Sequence, residues 1–300
     1  MKRRLVSQGR ATLTISLPSK WLKTFDLKPG DEVDIEEKGA ELVVKTEKGV
    51  TIEKTQIDAQ DYQEKLLEKV MVYLYRKGYD EIELILESPD QIEHVQRIIQ
   101  LGLVGFEVVT HGQRNCIIKN ISGPMESEFD PMLRRVFLLV KSMAFEGLAA
   151  IKTKNPGLLN SIILSEKTNN RLTSICRRII NKRGLEKNST FLYSIVLYLE
   201  KIADEYRDLY KYIQEQKPKI TPAELKLMEA VDNILNDMYE NFYKYDKKKV
   251  VRIRQEYAKA KKELEMEFLN KKANAKITHH MSNILEMTTN CLYFTFAIKL

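Results

Sequence analysis

A chain of 300 residues with 43% hydrophobic and 30% charged side chains has the composition of a folded globular protein with room for two or three domains. It contains no run of about 18 apolar residues, so no transmembrane helix is expected. The apolar stretch after Met1-Lys2-Arg3-Arg4 is cut by polar residues and does not read as a signal peptide. Cys116, Cys176 and Cys291 are far apart, and the four histidines have no zinc spacing. A reducing, cytoplasmic location is expected on that account.

The net charge of +7 is unevenly placed. Residues 1–25 carry Lys2, Arg3, Arg4, Arg10, Lys20 and Lys23, and the first acid is Asp26. Such a cluster suits an anionic partner, although a solvated basic surface explains it equally well on charge alone.

Residues 1–47 read as a first domain made largely of strands. Leu5-Val6 and the alternation Thr12-Leu13-Thr14-Ile15-Ser16-Leu17 predict two strands around a turn at Gly9. Pro18 suits the first turn of a short helix, Pro18 to Phe25. Pro29-Gly30 marks a tight turn, and Val33, Ile35 and Leu42-Val43-Val44 predict a second hairpin across Lys38-Gly39. So short a segment cannot close a core alone, which predicts a partner chain.

Residues 48–121 predict a small α/β unit. A helix is expected from about Asp58 to Lys77, with Leu66, Leu67, Val70, Leu74 and Tyr75 on one face and a stop at Gly78. Ile82, Leu84 and Leu86 form a strand. Ile92, Val95, Ile98 and Ile99 lie at helical spacing, and Val108-Val109 and Ile117-Ile118 form a hairpin.

Residues 122–300 read as purely helical, in six segments near 126–155, 157–183, 188–216, 221–245, 248–271 and 275–300. Short connections imply antiparallel neighbours and hence a bundle. Leu199-Glu200-Lys201-Ile202-Ala203-Asp204 and Leu285-Glu286-Met287-Thr288-Thr289-Asn290 are offset by 86 residues, which suggests two three-helix repeats. The whole is an α+β chain.

Ser7-Gln8-Gly9-Arg10, Ser16-Leu17-Pro18 and Leu27-Lys28-Pro29-Gly30-Asp31-Glu32-Val33 resemble the AbrB/MazE/SpoVT family of swapped-hairpin DNA-binding domains over about residues 3–46. The resemblance implies an obligate homodimer. It also implies DNA contacts from Arg3, Arg4, Arg10, Lys20 and Lys23. Ser19-Lys20-Trp21 departs from the general pattern, so no target sequence carries over, and Trp21 reads as core rather than a base-stacking residue.

Glu200 and Asp204 share a helix face, as do many solvated surface pairs. The run that contains them resembles the acidic motif of the PhoU family over about residues 124–300. That resemblance implies a divalent or iron-type metal at Glu200 and Asp204, with Glu166 as a further ligand candidate beside Asn169 and Asn170. The second copy keeps Glu286 but has Asn290 in place of the acid, and Thr288 and Thr289 add only neutral oxygens, so a weaker second site follows. Adjacent His279 and His280 point about 100° apart on a helix and read as surface or interface residues.

The family resemblances imply a DNA-binding regulator of phosphate uptake. The alternative is a non-enzymatic adaptor that binds and inhibits a phosphate transporter or its regulatory partner. A toxin–antitoxin antidote is disfavoured by the long helical part. No phosphate loop, nucleophile elbow or base–nucleophile pair suggests an enzyme.

Overall fold

The computed structural model describes residues 2–9, 12–46, 52–123, 125–183, 188–269 and 273–300. The chain divides into two compact units, Met1–Ile52 and Glu53–Leu300.

In the first unit, β1 (Val6–Gln8) pairs antiparallel with β2 (Thr12–Thr14), with Ser7 opposite Leu13. Gly9 takes φ +77°, a conformation that glycine adopts without a Cβ clash. Helix α1 (Ser19–Thr24) follows Pro18, whose carbonyl accepts the Leu22 amide at 3.0 Å. The Pro29-Gly30 turn is closed by the Asp31 carboxylate, which accepts the Lys28 amide at 2.6 Å. β3 (Asp34–Lys38) and β4 (Glu41–Lys45) form the second hairpin. None of the described residues in this unit is buried.

The second unit opens with β5 (Lys54–Asp58), α2 (Glu64–Lys77), β6 (Glu81–Ile85), α3 (Gln91–Gly102), β7 (Phe106–His111) and β8 (Asn115–Asn120). Its sheet runs β5-β6-β8-β7, with β5 parallel to β6 and the other pairs antiparallel. The helix expected from Asp58 starts instead at Glu64, because Lys54–Asp58 is an edge strand paired with β6. The buried stripe of α2 is Leu67, Met71 and Tyr75 together with Arg76, and Leu66 is exposed. The helix ends at Gly78, which takes φ +112° and caps the Leu74 and Tyr75 carbonyls.

Six helices follow: α4 (Phe129–Lys152), α5 (Pro156–Arg183), α6 (Ser189–Gln216), α7 (Pro222–Tyr243), α8 (Lys247–Leu269) and α9 (Ala275–Lys299). They lie close to the six segments expected from periodicity. Thr221 and Glu224 form a reciprocal capping box ahead of α7, with Pro222 at the first helical position. α4, α5 and α6 pack on one another, α7, α8 and α9 do the same, and the two triplets join mainly through α6 and α9. Helix α4 approaches α6 at Gly147, where an added Cβ would lie 2.2 Å from the Tyr210 ring. The Tyr210 hydroxyl donates to the Met143 carbonyl at 2.9 Å in the same contact. α2 packs against α5, so the sheet unit and the bundle share one continuous core.

Candidate functional site

Arg3 and Arg4 precede β1, and Lys20 and Lys23 project from α1; all four side chains are exposed. Arg10 lies outside the described residues. The sequence has no acid before Asp26, so these exposed side chains are all cationic. Trp21 is half-buried, with its ring centroid 5.4 Å from that of Phe25. In the same unit, Leu5, Leu13, Ile15, Ile35 and Leu42 are between 53% and 66% exposed. Alternation has sorted these apolar side chains, yet they stay exposed among the described residues.

The acidic motif has a different character. Glu200, on α6, is 7% exposed, and three donors converge on its Oε2. They are Nη2 of Arg177 at 2.5 Å, Oγ1 of Thr173 at 2.8 Å and Nη2 of Arg76 at 2.9 Å. Thr173 and Arg177 come from α5, whereas Arg76 reaches in from α2 and also donates to the Ser174 hydroxyl.

One turn on, Asp204 accepts from Arg207 at 2.8 Å and from Lys201 at 2.9 Å. Glu166, on α5, joins this group by accepting from Arg207 and from the Asn170 amide, both at 2.5 Å. Burial, against the opposing Arg207 charge, holds the Glu166 carboxyl above its ordinary range, and neighbouring Asp204 pushes the same way. Asp208 accepts from Arg207 as well.

The fold therefore gathers Glu166, Asp204 and Asp208 around Arg207, and places Glu200 in a separate arginine clamp. In this arrangement the motif does not fit a hard cation. The carboxylates Glu166, Glu200, Asp204 and Asp208 already face Arg76, Arg177, Lys201 and Arg207. Among the described residues no group of three or more His, Cys, Asp or Glu converges as a metal-binding cluster.

Glu286 occupies the corresponding place on α9. It accepts from the Tyr257 hydroxyl at 2.7 Å and from Lys261 at 2.9 Å, both on α8. The Lys261 hydrogen bond holds its carboxyl below the usual range. Of the two expected settings, surface or interface, His280 takes the second: it is 8% exposed, and its Nδ1 lies 2.6 Å from Glu205 on α6. His279 is exposed, as the sequence reading expects.

The partners that sequence reasoning missed are Arg76, Arg177 and Arg207. The available signal was Arg177-Arg178 set between Cys176 and Ile179-Ile180 in an apolar run, where cations stay only if paired.

A model of the family described as Antidote-toxin recognition MazE, bacterial antitoxin, matches residues 6–51. No curated protein matches the chain. Among solved structures, the crystal structure of the phosphate transport system regulatory protein PhoU from Streptococcus pneumoniae is similar, with a TM-score of 0.41 and 15% identity. The match covers 58% of this chain and 90% of that one. Among the described residues no helix is long and apolar enough to cross a membrane. Residues 6–51 are thus similar to the MazE family, and a sheet unit and a helical bundle follow them.

Proposed function

We propose that this chain is a non-enzymatic DNA-binding regulator whose amino-terminal unit acts as a homodimer. The observation that carries the reading is the presence, in the unit whose residues 6–51 match the MazE family, of exposed basic side chains together with exposed apolar ones. Lysine and arginine release counterions condensed on DNA, which gives affinity without sequence contacts. Leu13, Ile15 and Ile35 need a second copy to bury them, and interleaved hairpins would supply it. Dimerisation also doubles the cationic surface.

The helical unit would carry the signal. The link to phosphate supply rests on the resemblance of Leu199–Asp204 to the PhoU acidic motif, and makes phosphate transporter components candidate partners.

Fluorescence anisotropy on labelled duplex DNA at several salt concentrations tests the central claim. If four to eight basic side chains contact phosphates, log affinity falls against log salt with a slope of about −4 to −7. Changing Arg3, Arg4 and Arg10 together to Ala flattens that slope. Unchanged binding by the triple variant would move the reading to an adaptor acting on a transporter. Leu13→Asp in the full chain should convert dimer to monomer in sedimentation, with the bundle still folded by circular dichroism. Mapping bound DNA genome-wide at high and low phosphate tests the regulatory assignment.

A further inference from the structure

We propose that the first acidic motif is a metal-independent joint, in which the guanidinium groups of Arg76 and Arg177 stand where a cation would sit beside Glu200 and fasten the sheet unit to the bundle. The inference is independent of the DNA-binding reading.

Three observations carry it. The first is the clamp itself. Two guanidinium groups and a hydroxyl meet one carboxylate oxygen at 2.5–2.9 Å, and Arg76, Arg177 and Glu200 are each at most 7% exposed. A divalent ion placed against that oxygen would be repelled by both arginines in a region that water screens poorly.

The second is what the clamp holds. The carboxyl end of α2 meets α5 through a continuous set of polar bonds. Arg178 donates to the Tyr75 and Tyr79 carbonyls at 2.9 and 2.7 Å, and Asn181 donates to the Arg76 carbonyl at 2.6 Å. Arg178 and Lys182 pair with Asp80 at 2.5 and 2.6 Å. Cations placed at the negative end of α2 satisfy its last carbonyls and complement its dipole. Gly78 permits the approach, since an added Cβ would lie 3.0 Å from Lys182 Cγ.

The third is repetition. Tyr257 and Lys261 follow Thr173 and Arg177 by 84 positions and meet Glu286 as those two meet Glu200. In both repeats a hydroxyl and a basic side chain from the preceding helix neutralise the motif glutamate.

The test uses the full-length chain, purified without chelator. Elemental analysis should find Mg, Mn, Fe and Zn far below one per chain, and millimolar Mn²⁺ should leave the melting temperature where EDTA leaves it. Hydrogen exchange should report the joint. In Glu200→Gln, amides of residues 64–77 and 171–182 should exchange about 100-fold faster, the scale expected when one partner of a buried pair is neutralised. Arg76→Lys keeps the charge but loses the planar fork and should show an intermediate rate. It also serves if Glu200→Gln fails to fold. About one metal per chain that is lost in Glu200→Gln would overturn the proposal. So would Mn²⁺ stabilising the wild type but not that variant. Wild-type exchange in Arg76→Lys and Glu200→Gln alike would show that nothing is fastened there. Metal retained equally by both proteins would lie elsewhere and leave the joint metal-free.

Discussion

Glu200 and Glu286 occupy matching places in the two helical repeats, and each meets a hydroxyl and a cation from the preceding helix. Their surroundings differ. The Glu200 side chain is 9% exposed beneath α2, whereas that of Glu286 is 46% exposed. The local sequence supplies the same pairing twice, and a helix from another part of the chain decides which copy leaves water. Once covered, the pair becomes a commitment: two guanidinium groups lose hydration and must keep their carboxylate.

The contrast predicts unequal costs. Arg177→Ala removes one partner from the covered clamp, and urea unfolding should show a loss of about 3–5 kcal/mol. A loss below about 1 kcal/mol, the range of exposed pairs, would mean that cover does not distinguish the two sites.

Asp232 sharpens the same point, as a buried carboxyl that forms no ion pair among the described residues. It accepts from the Tyr206 hydroxyl at 2.6 Å, and its other oxygen has no hydrogen-bond partner among the described residues. Burial, opposed by the Tyr206 hydrogen bond, raises its pKa from the ordinary 3.8 to about 7. Between those values the folded state keeps a proton that the unfolded state has released, so stability falls as pH rises through this window. At ~1.4 kcal/mol per pH unit the loss reaches a few kcal/mol, and it is complete above about 7. Asp232→Asn cannot lose that proton. Its melting temperature should exceed that of the wild type at pH 8, with the difference closing toward pH 4. A difference that does not vary with pH would assign Asp232 an ordinary carboxyl.

The smallest effect belongs to the open copy. Glu286→Gln should change stability by about 0–1 kcal/mol, and raised salt should narrow the gap further. A cost comparable to that of Arg177→Ala would show that Glu286 is covered in solution, by a second copy or by a partner.

The amino-terminal unit inverts these relations, since it exposes Leu13 and Ile35 and buries none of its described residues. Its elements were legible in the sequence because turn residues and two-residue alternation act locally: Gly9, Pro29-Gly30 and Gly39 fall at the observed turns. The six bundle helices were legible for the same kind of reason, since periodicity records which face each helix buries. Lys54–Asp58 was not legible as a strand. Five residues carry little pattern, and their pairing with β6 is set by a parallel neighbour 27 positions away.

The acidic residues themselves were evident in the sequence, and the spacing of Glu200 and Asp204 on one helix face follows from helical geometry. Asp204 takes Lys201 and Arg207 from its own helix, but what Glu200 and Glu166 bind was decided only by packing. Arg76 lies 124 positions from Glu200 and in a different layer of the fold, and Glu166 meets Arg207 across 41. Periodicity shows that a face is buried without showing against what, and a carboxylate takes whichever cation the docked helix brings within hydrogen-bond reach.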